Sequence, residues 1–365
     1  MIKVLHVAYS GLGGHGNVFF SMVDADETRH FEYEVIFFGV EDVRNLYIEK
    51  ATEKNIPWYF VKKKPGIDIA AYKKIKDIIK KTKPDIIFLH SSAYIFPAKW
   101  ATATTSKKMK IIVRETQANH LKTKQEWLGL SFALLFATKV VFLSNEYNDT
   151  IQKKLRFFYS HKRTKVIPNG IDFKIYHPTT SQENNSIVVG MQSRLIAIKD
   201  HKTLLKAFKI VLDKNITGKP MQLIIAGDGD CRQALETQAE NEGIEKQVTF
   251  LGMLEEKALP AFINSLNIYV HATLGETMST AIMQVMACKK PVVASDVLGV
   301  NNMIKDNETG LLIPPENAIA MADAILSLIN NPGKASEISV RAYDFAQDNY
   351  SSKRMFQQYK TVFEE

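Results

Sequence analysis

Short apolar runs rich in valine, isoleucine and phenylalanine alternate along this chain with longer stretches in which apolar residues recur every three or four positions. Alternation of buried strands with amphipathic helices is the pattern of a parallel sheet covered on both faces. It predicts strands at 3–8, 33–38, 57–61, 85–89, 110–114, 139–143 and 164–167. Among the intervening helices, 68–82 is the clearest: Asp68 is placed to cap its start, and Ile69, Tyr72, Ile75, Ile78 and Ile79 form one face. Lysine fills the other face.

After Pro168-Asn169-Gly170-Ile171-Asp172 the pattern dissolves into a polar stretch, Thr179 to Ser186, with no periodicity. The alternation then restarts, with strands expected near 187–190, 221–226, 247–250, 268–270, 291–294 and 311–313 before closing helices. At 365 residues the chain exceeds the roughly 250–300 at which a single hydrophobic core stops growing. Two doubly wound α/β domains in series are expected, 1–170 and 187–345.

No stretch approaches the roughly 18 uncharged apolar residues of a membrane span, and Ile2 to Val7 reads as a first strand rather than a signal peptide. A cytoplasmic protein is the expectation. Cys231 and Cys288 have neither Cys-x-x-Cys spacing nor histidine clusters beside them, so both read as small core residues and no metal site is expected. The net charge of +8 hides an asymmetry: residues 1–170 carry +12 and the remainder −4. A one-sided basic surface suits an anionic membrane, a lipid-phosphate acceptor or nucleic acid. The lysines at 62, 63, 64, 73, 74, 76, 80 and 81 are the densest such cluster.

Several loops after predicted strands carry candidate chemistry. Gly11 to Gly16 matches G-x-G-x-x-G, with Glu41 or Asp42 as the acidic residue that a nicotinamide dinucleotide would need. In the second half, Arg194 and Lys199 follow a strand and precede an apolar helix, where a cation pair suits a diphosphate; the plainer alternative is two surface cations. Gly227 lies in the tight turn Ala226-Gly227-Asp228-Gly229, with Asp228 reading as a turn former, and Leu251 sits at a strand end where backbone groups can read a nucleobase. Met278, Ser279 and Thr280 read as the first turn of a helix whose unpaired amides attract a diphosphate. Glu276, just before it, can bind sugar hydroxyls or merely compensate the helix dipole. In the first half, His90 ends one strand and Arg114-Glu115 the next, so polar groups converge on one sheet edge.

Taken together and in order, these stretches resemble the family 4 retaining glycosyltransferases of GT-B fold. The residues that carry the resemblance are Gly13-Gly14, His90, Val166 to Asp172, Arg194 with Lys199, Ala226 to Gly229, Glu276, and Met286 to Asp296. It implies two Rossmann-like domains facing each other across a cleft, with residues 346–365 packing back onto the first. It also implies that Arg194 and Lys199 clamp the donor diphosphate, that Glu276 binds the transferred sugar and that His90 contacts sugar or acceptor. Gly13, Gly14, Gly227, Leu251, Met278, Ser279, Thr280 and Gln284 are then donor-side candidates, and His15, Arg114 and Glu115 acceptor-side ones. The implied activity is transfer from a nucleotide sugar, UDP-linked in the leading reading, to a lipid-linked or polysaccharide acceptor. Neither cofactor, metal nor nucleic acid is expected, and contact with an anionic membrane is. One departure stands out: the second glutamate of the family's paired motif, which holds the ribose, is Gln284 here. That leaves a catalytically weak donor-binding subunit as the first alternative, and a nicotinamide-dependent Rossmann enzyme built on Gly11 to Gly16 as the second.

Overall fold

The computed structural model describes residues 1–11, 13–119, 122–179, 185–214 and 217–365. Leu12 of the glycine loop and residues 180–184 of the polar stretch lie outside the described residues. The chain divides into two compact units, Met1–Gly170 together with Ser352–Glu365, and Ile171–Ser351.

The first unit is an all-parallel sheet in the order β3-β2-β1-β4-β5-β6-β7. Its strands are β1 (Ile2–Tyr9), β2 (Phe31–Gly39), β3 (Trp58–Lys62), β4 (Ile86–Leu89), β5 (Lys110–Arg114), β6 (Lys139–Phe142) and β7 (Thr164–Val166). Between them run α1 (Gly14–Ala25), α2 (Asn45–Glu53), α3 (Ile69–Thr82), α4 (Ile95–Ala103), α5 (Lys124–Phe136) and α6 (Asn145–Lys154). Asp68 caps α3 by accepting from the Ala71 amide at 3.0 Å. The row that α3 buries is Ala71, Ile75 and Ile79. Ile69, expected on that face, lies two residues and so about 200° from Ala71 around the helix, and it is exposed.

The second unit is parallel too, in the order β10-β9-β8-β11-β12-β13. Its strands are β8 (Ile187–Gln192), β9 (Met221–Ala226), β10 (Val248–Gly252), β11 (Ile268–His271), β12 (Val292–Ser295) and β13 (Leu311–Ile313). The helices are α7 (His201–Asp213), α8 (Arg232–Asn241), α9 (Leu259–Ser265), α10 (Thr280–Ala287), α11 (Ala318–Asn330) and α12 (Pro332–Tyr350). Cys288 is buried after α10, but Cys231, expected in the core, is half-buried at the start of α8.

Residues 346–350 complete α12 in the second unit, where the Ile171 amide donates to the Tyr350 carbonyl at 2.9 Å. The segment that belongs to the first unit therefore begins at Ser352 rather than at 346, as α13 (Ser352–Glu364). It buries Met355, Phe356, Tyr359, Val362 and Phe363 in the core beside Phe31 and Phe88 of β2 and β4. Each such side chain contributes roughly 1.5–3 kcal/mol of burial, so α13 is structural rather than a tail.

Candidate functional site

In each sheet the strand order reverses once, between β1 and β4 and between β8 and β11. Loops leaving the carboxyl ends of those strands diverge, which opens a crevice suited to a ligand. The candidate residues of each unit gather at these two places.

In the second unit, β8 leads into the loop bearing Arg194 and Lys199, and β11 ends at His271 and leads to Glu276. Glu276 accepts hydrogen bonds on Oε1 from Lys199 Nζ and, at 3.0 Å, from His271 Nε2. Burial pushes this carboxyl up, but the His271 hydrogen bond and the Lys199 charge outweigh it and hold the pKa at about 2. The carboxylate can then only accept, so the His271 hydrogen sits on Nε2. His271 is itself buried, and burial outweighs its bond to Glu276, leaving its pKa below the usual histidine value. On its other side Nδ1 lies 3.3 Å from Tyr269 Oη, which in turn donates to the Gln192 carbonyl at 3.1 Å. Arg194 is exposed, and its side chain makes no ion pair among the described residues. The two cations of the expected clamp thus differ: Lys199 already has a carboxylate partner, and Arg194 does not.

Glycines set the backbone here. A Cβ on Gly227, at φ +143°, would lie 1.8 Å from the Ser193 carbonyl oxygen, so only glycine lets the β9 loop close over the Arg194 loop. A Cβ on Gly299, at φ +84°, would lie 2.2 Å from the Glu276 carbonyl oxygen, while the Glu276 amide donates to the Leu298 carbonyl at 3.2 Å. The Leu298-Gly299 turn is therefore the seat of Glu276. Leu251 is exposed at the register shift in β10 between Phe250 and Gly252.

Two expectations need correction. Helix α10 starts at Thr280, one residue after its cap: Ser279 Oγ accepts from the Ile282 amide, and the Ser279 amide faces Met303 Sδ at 3.2 Å. The Ser279 N–H is thus turned inward, and Met278 precedes the helix. Gln284 is buried, with its Oε1 accepting from Gln192 Nε2 at 3.2 Å and its Nε2 donating to Tyr176 Oη at 2.8 Å. Both ends of the amide are engaged inside the unit rather than held out for a ribose.

In the first unit, His90 follows β4, and its Nε2 lies 3.0 Å from His6 Nδ1 of β1. Expected at a sheet edge where it could contact sugar or acceptor, His90 is instead fully buried, packed against Phe88 and His6 with His15 nearby. Burial drives His6, to about 3, and His90, well below the ordinary histidine value, away from the protonated form. His6 Nε2 and His90 Nδ1 have no hydrogen-bond partner among the described residues, nor have Nε and Nη1 of buried Arg114, whose Nη2 donates to Asn169 Oδ1. His15 is held by the Tyr9 amide at 3.3 Å and Thr116 Oγ1 at 3.1 Å. Glu115 is saturated from within: Ser92 N, Gln117 N, Tyr147 Oη and Lys122 Nζ all reach its carboxylate, the last as a buried ion pair at 3.2 Å. Its expected acceptor-side role gives way to a structural one.

Gly13 and Gly14 are exposed at the start of α1, and Gly13 accepts at its carbonyl from Tyr47 Oη at 2.9 Å. The glycines that tight packing requires are Gly11, against Glu41, and Gly16, against the Tyr47 ring. Glu41 accepts from Tyr9 Oη at 2.8 Å and Asp42 pairs with Lys62. The dinucleotide reading of this loop is set aside, because Gly11 and Gly16 are close-packed against Glu41 and Tyr47, and the acidic residues Glu41 and Asp42 are paired at the surface with Tyr9 and Lys62. His6, His271, Gln192, Tyr176 and Lys122 were not singled out from the sequence. Of these only His271, at a strand end five residues before Glu276, carried a signal there.

Residues 12–174 match the family described as Glycosyltransferase Family 4, and residues 172–345 the one described as Glycosyl transferases group 1. With the relatives below, these matches show that the chain belongs to the family 4 glycosyltransferases of GT-B fold. The alpha-D-kanosaminyltransferase of Streptomyces kanamyceticus is 30% identical over 148 residues, 40% of this chain and 38% of that enzyme. The chain thus spans well under two thirds of that relative. The UDP-Gal:alpha-D-GlcNAc-diphosphoundecaprenol alpha-1,3-galactosyltransferase of Escherichia coli is 23% identical over 271 residues, 70% of this chain and 68% of that enzyme. Among solved structures, Anabaena HepE in complex with UDP and glucose superposes with a TM-score of 0.84 at 20% identity, covering 100% of both chains. At that identity the likeness is one of fold.

Proposed function

We propose that the protein moves a sugar from a UDP-sugar to a lipid-linked or polysaccharide acceptor in the cytoplasm, with retention at the anomeric carbon and without a metal ion. The observation that carries this reading is the joining of Lys199, His271 and Glu276 into one cluster at the switch point of the second sheet. Lys199 has three N–H donors, of which Glu276 takes one, so the others can meet phosphate oxygens. The Arg194 fork suits a second phosphate edge, and the Thr280 amide lies at the positive end of α10. Together these groups would offset the charge of a departing diphosphate. Both bonds to Glu276 fall on Oε1, which leaves Oε2 to accept from a sugar hydroxyl.

The UDP-Gal and the diphosphoundecaprenol named for the Escherichia coli relative support a uridine donor and a lipid-linked acceptor. The UDP held by HepE supports the uridine donor alone. The internal pairing of Gln284 favours a second reading, a donor-binding subunit with weak turnover. A thermal-shift screen of nucleotide sugars tests donor binding, since a ligand at 100 times its dissociation constant stabilises by about 2.7 kcal/mol. Turnover of the best donor, assayed in EDTA, separates the readings. Binding without turnover favours the subunit, activity that EDTA abolishes and a divalent ion restores contradicts the metal-free site, and no shift with any nucleotide sugar sinks both.

A further inference from the structure

The outer face of α4 and α5 is not finished as a water-facing surface. Phe96, Lys99, Trp100 and Ala103 follow helical spacing along the exposed side of α4, and Leu128, Leu135 and Phe136 are exposed on α5. Between the helices lies a groove of about 210 Å³ walled by Ile95, Phe96, Trp100, Phe132 and Phe136. Trp100 is 38% exposed and Phe136 44%, so two large rings stand partly in water within one patch. Contiguous apolar surface of this kind marks a site of contact.

Cations border the groove on both sides. Lys76 of α3 lies 4.4 Å over the Trp100 ring, and Lys99 lies 5.3 Å over the Phe136 ring. Lys73 and Lys80 stand one turn to either side of Lys76, on the same flank of α3. The acidic group facing this row is Asp77, 3.3 Å from Lys76. The basic cluster is thus not one uniform lysine face, because Lys62 is spent on Asp42 and Lys76 covers an aromatic ring. An apolar floor of Trp and Phe with a lysine rim complements an interface that is apolar inside and anionic at its surface. A second copy of this chain would instead set lysine rim against lysine rim.

We propose that the α4–α5 face docks on an anionic lipid bilayer, with Phe96, Trp100 and Phe136 entering the acyl boundary and Lys73, Lys80 and Lys99 meeting the headgroups. The inference deepens the lipid-linked acceptor reading above and rests on it for its purpose, but vesicle binding is measured apart from transfer and donor binding. The probes are vesicles of phosphatidylcholine alone and of phosphatidylcholine with phosphatidylglycerol, followed by co-sedimentation and tryptophan emission at low salt. Binding should require the anionic lipid, weaken as salt rises and shift the emission to the blue. Phe96→Asp/Phe136→Asp should cut partitioning at least tenfold with thermal stability retained, since both positions are exposed, whereas Ile319→Asp on α11 should leave it unchanged. Trp100→Phe should keep binding and lose most of the blue shift. Equal binding to both vesicle types, or anionic binding untouched by the double variant, would overturn the proposal. So would a dimer in sedimentation velocity that the double variant dissolves, because the face would then belong to a second copy.

Discussion

His90 and His271 occupy the same topological place in the two units, at the carboxyl end of the strand across the switch point from the unit's first strand. Their surroundings differ. His90 meets another histidine, His6, and both rings keep a buried nitrogen with no hydrogen-bond partner among the described residues. His271 meets a carboxylate on one side and a tyrosine on the other. A doubly wound sheet delivers a side chain to this place in either unit, but the partner decides whether it packs or positions. The second unit has coupled its histidine to Glu276, and the first has enclosed its histidine among aromatic rings.

The largest effect that would break this contrast lies at Glu276. Glu276→Ala should lower transfer by about 10²–10³-fold, the loss typical of one transition-state contact, with the melting temperature little changed. An active variant would mean that the cluster only braces the fold. His271→Phe comes next: turnover should fall about tenfold to a hundredfold, and His271→Gln, which can still donate to Glu276, should recover part of it. If both substitutions reduce turnover alike and merely track stability, His271 has no positioning role.

The buried histidines predict acid sensitivity, and the sign follows from their depressed pKa values. The unfolded chain takes up protons near 6.5 that folded His6, at about 3, and His90, well below 6.5, refuse. Stability of the first unit should therefore fall as pH drops below 6.5, His6 contributing about 1.4 kcal/mol per pH unit down toward 3 and His90 acting in the same direction. All three tryptophans, Trp58, Trp100 and Trp127, lie in that unit, so their emission reports it selectively. In the second unit His201, held at about 4, and His271 add the same sign. Glu276 acts lower: its pKa falls from 4.5 to about 2, so the stability it adds is present above 4.5 and lost as pH falls toward 2. Denaturant midpoints by tryptophan emission that do not move between pH 6.5 and 4.5 would show that the histidines ionise freely in the folded state.

Gln284→Glu should have the smallest effect, under tenfold in donor affinity. Gln192 Nε2 can still donate to the new carboxylate, and the Tyr176 hydroxyl need only turn to donate as well. A gain beyond tenfold, read by donor titration, would mean that position 284 reaches the nucleotide after all.

The strands were legible to within a residue or two because a parallel sheet buries them on both faces, and runs such as Ile86 to Leu89 cannot be read otherwise. Capping by Asp68 was equally local. What escaped was pairing across the sheet. His6 and His90 stand 84 positions apart, and nothing in either neighbourhood says that β1 borders β4; nor does anything near Gln192 of β8 or Gln284 of α10, 92 positions apart, say that these two elements meet. For the same reason the saturation of Glu115 by Lys122 and Tyr147 was invisible, and an enclosed carboxylate looked like an available one.

Helix α13 gives the first unit a history as well as a shape. Phe356, Tyr359 and Phe363 belong to the core built on β1, β2 and β4, yet they are translated only after the whole of the second unit. During synthesis the earlier unit must wait with an apolar face uncovered while the later one can already close. Its assembly is therefore not a matter of strict N-to-C order, and a chain stopped between Tyr350 and Ser352 would leave the ribosome with a finished second half and an unfinished first.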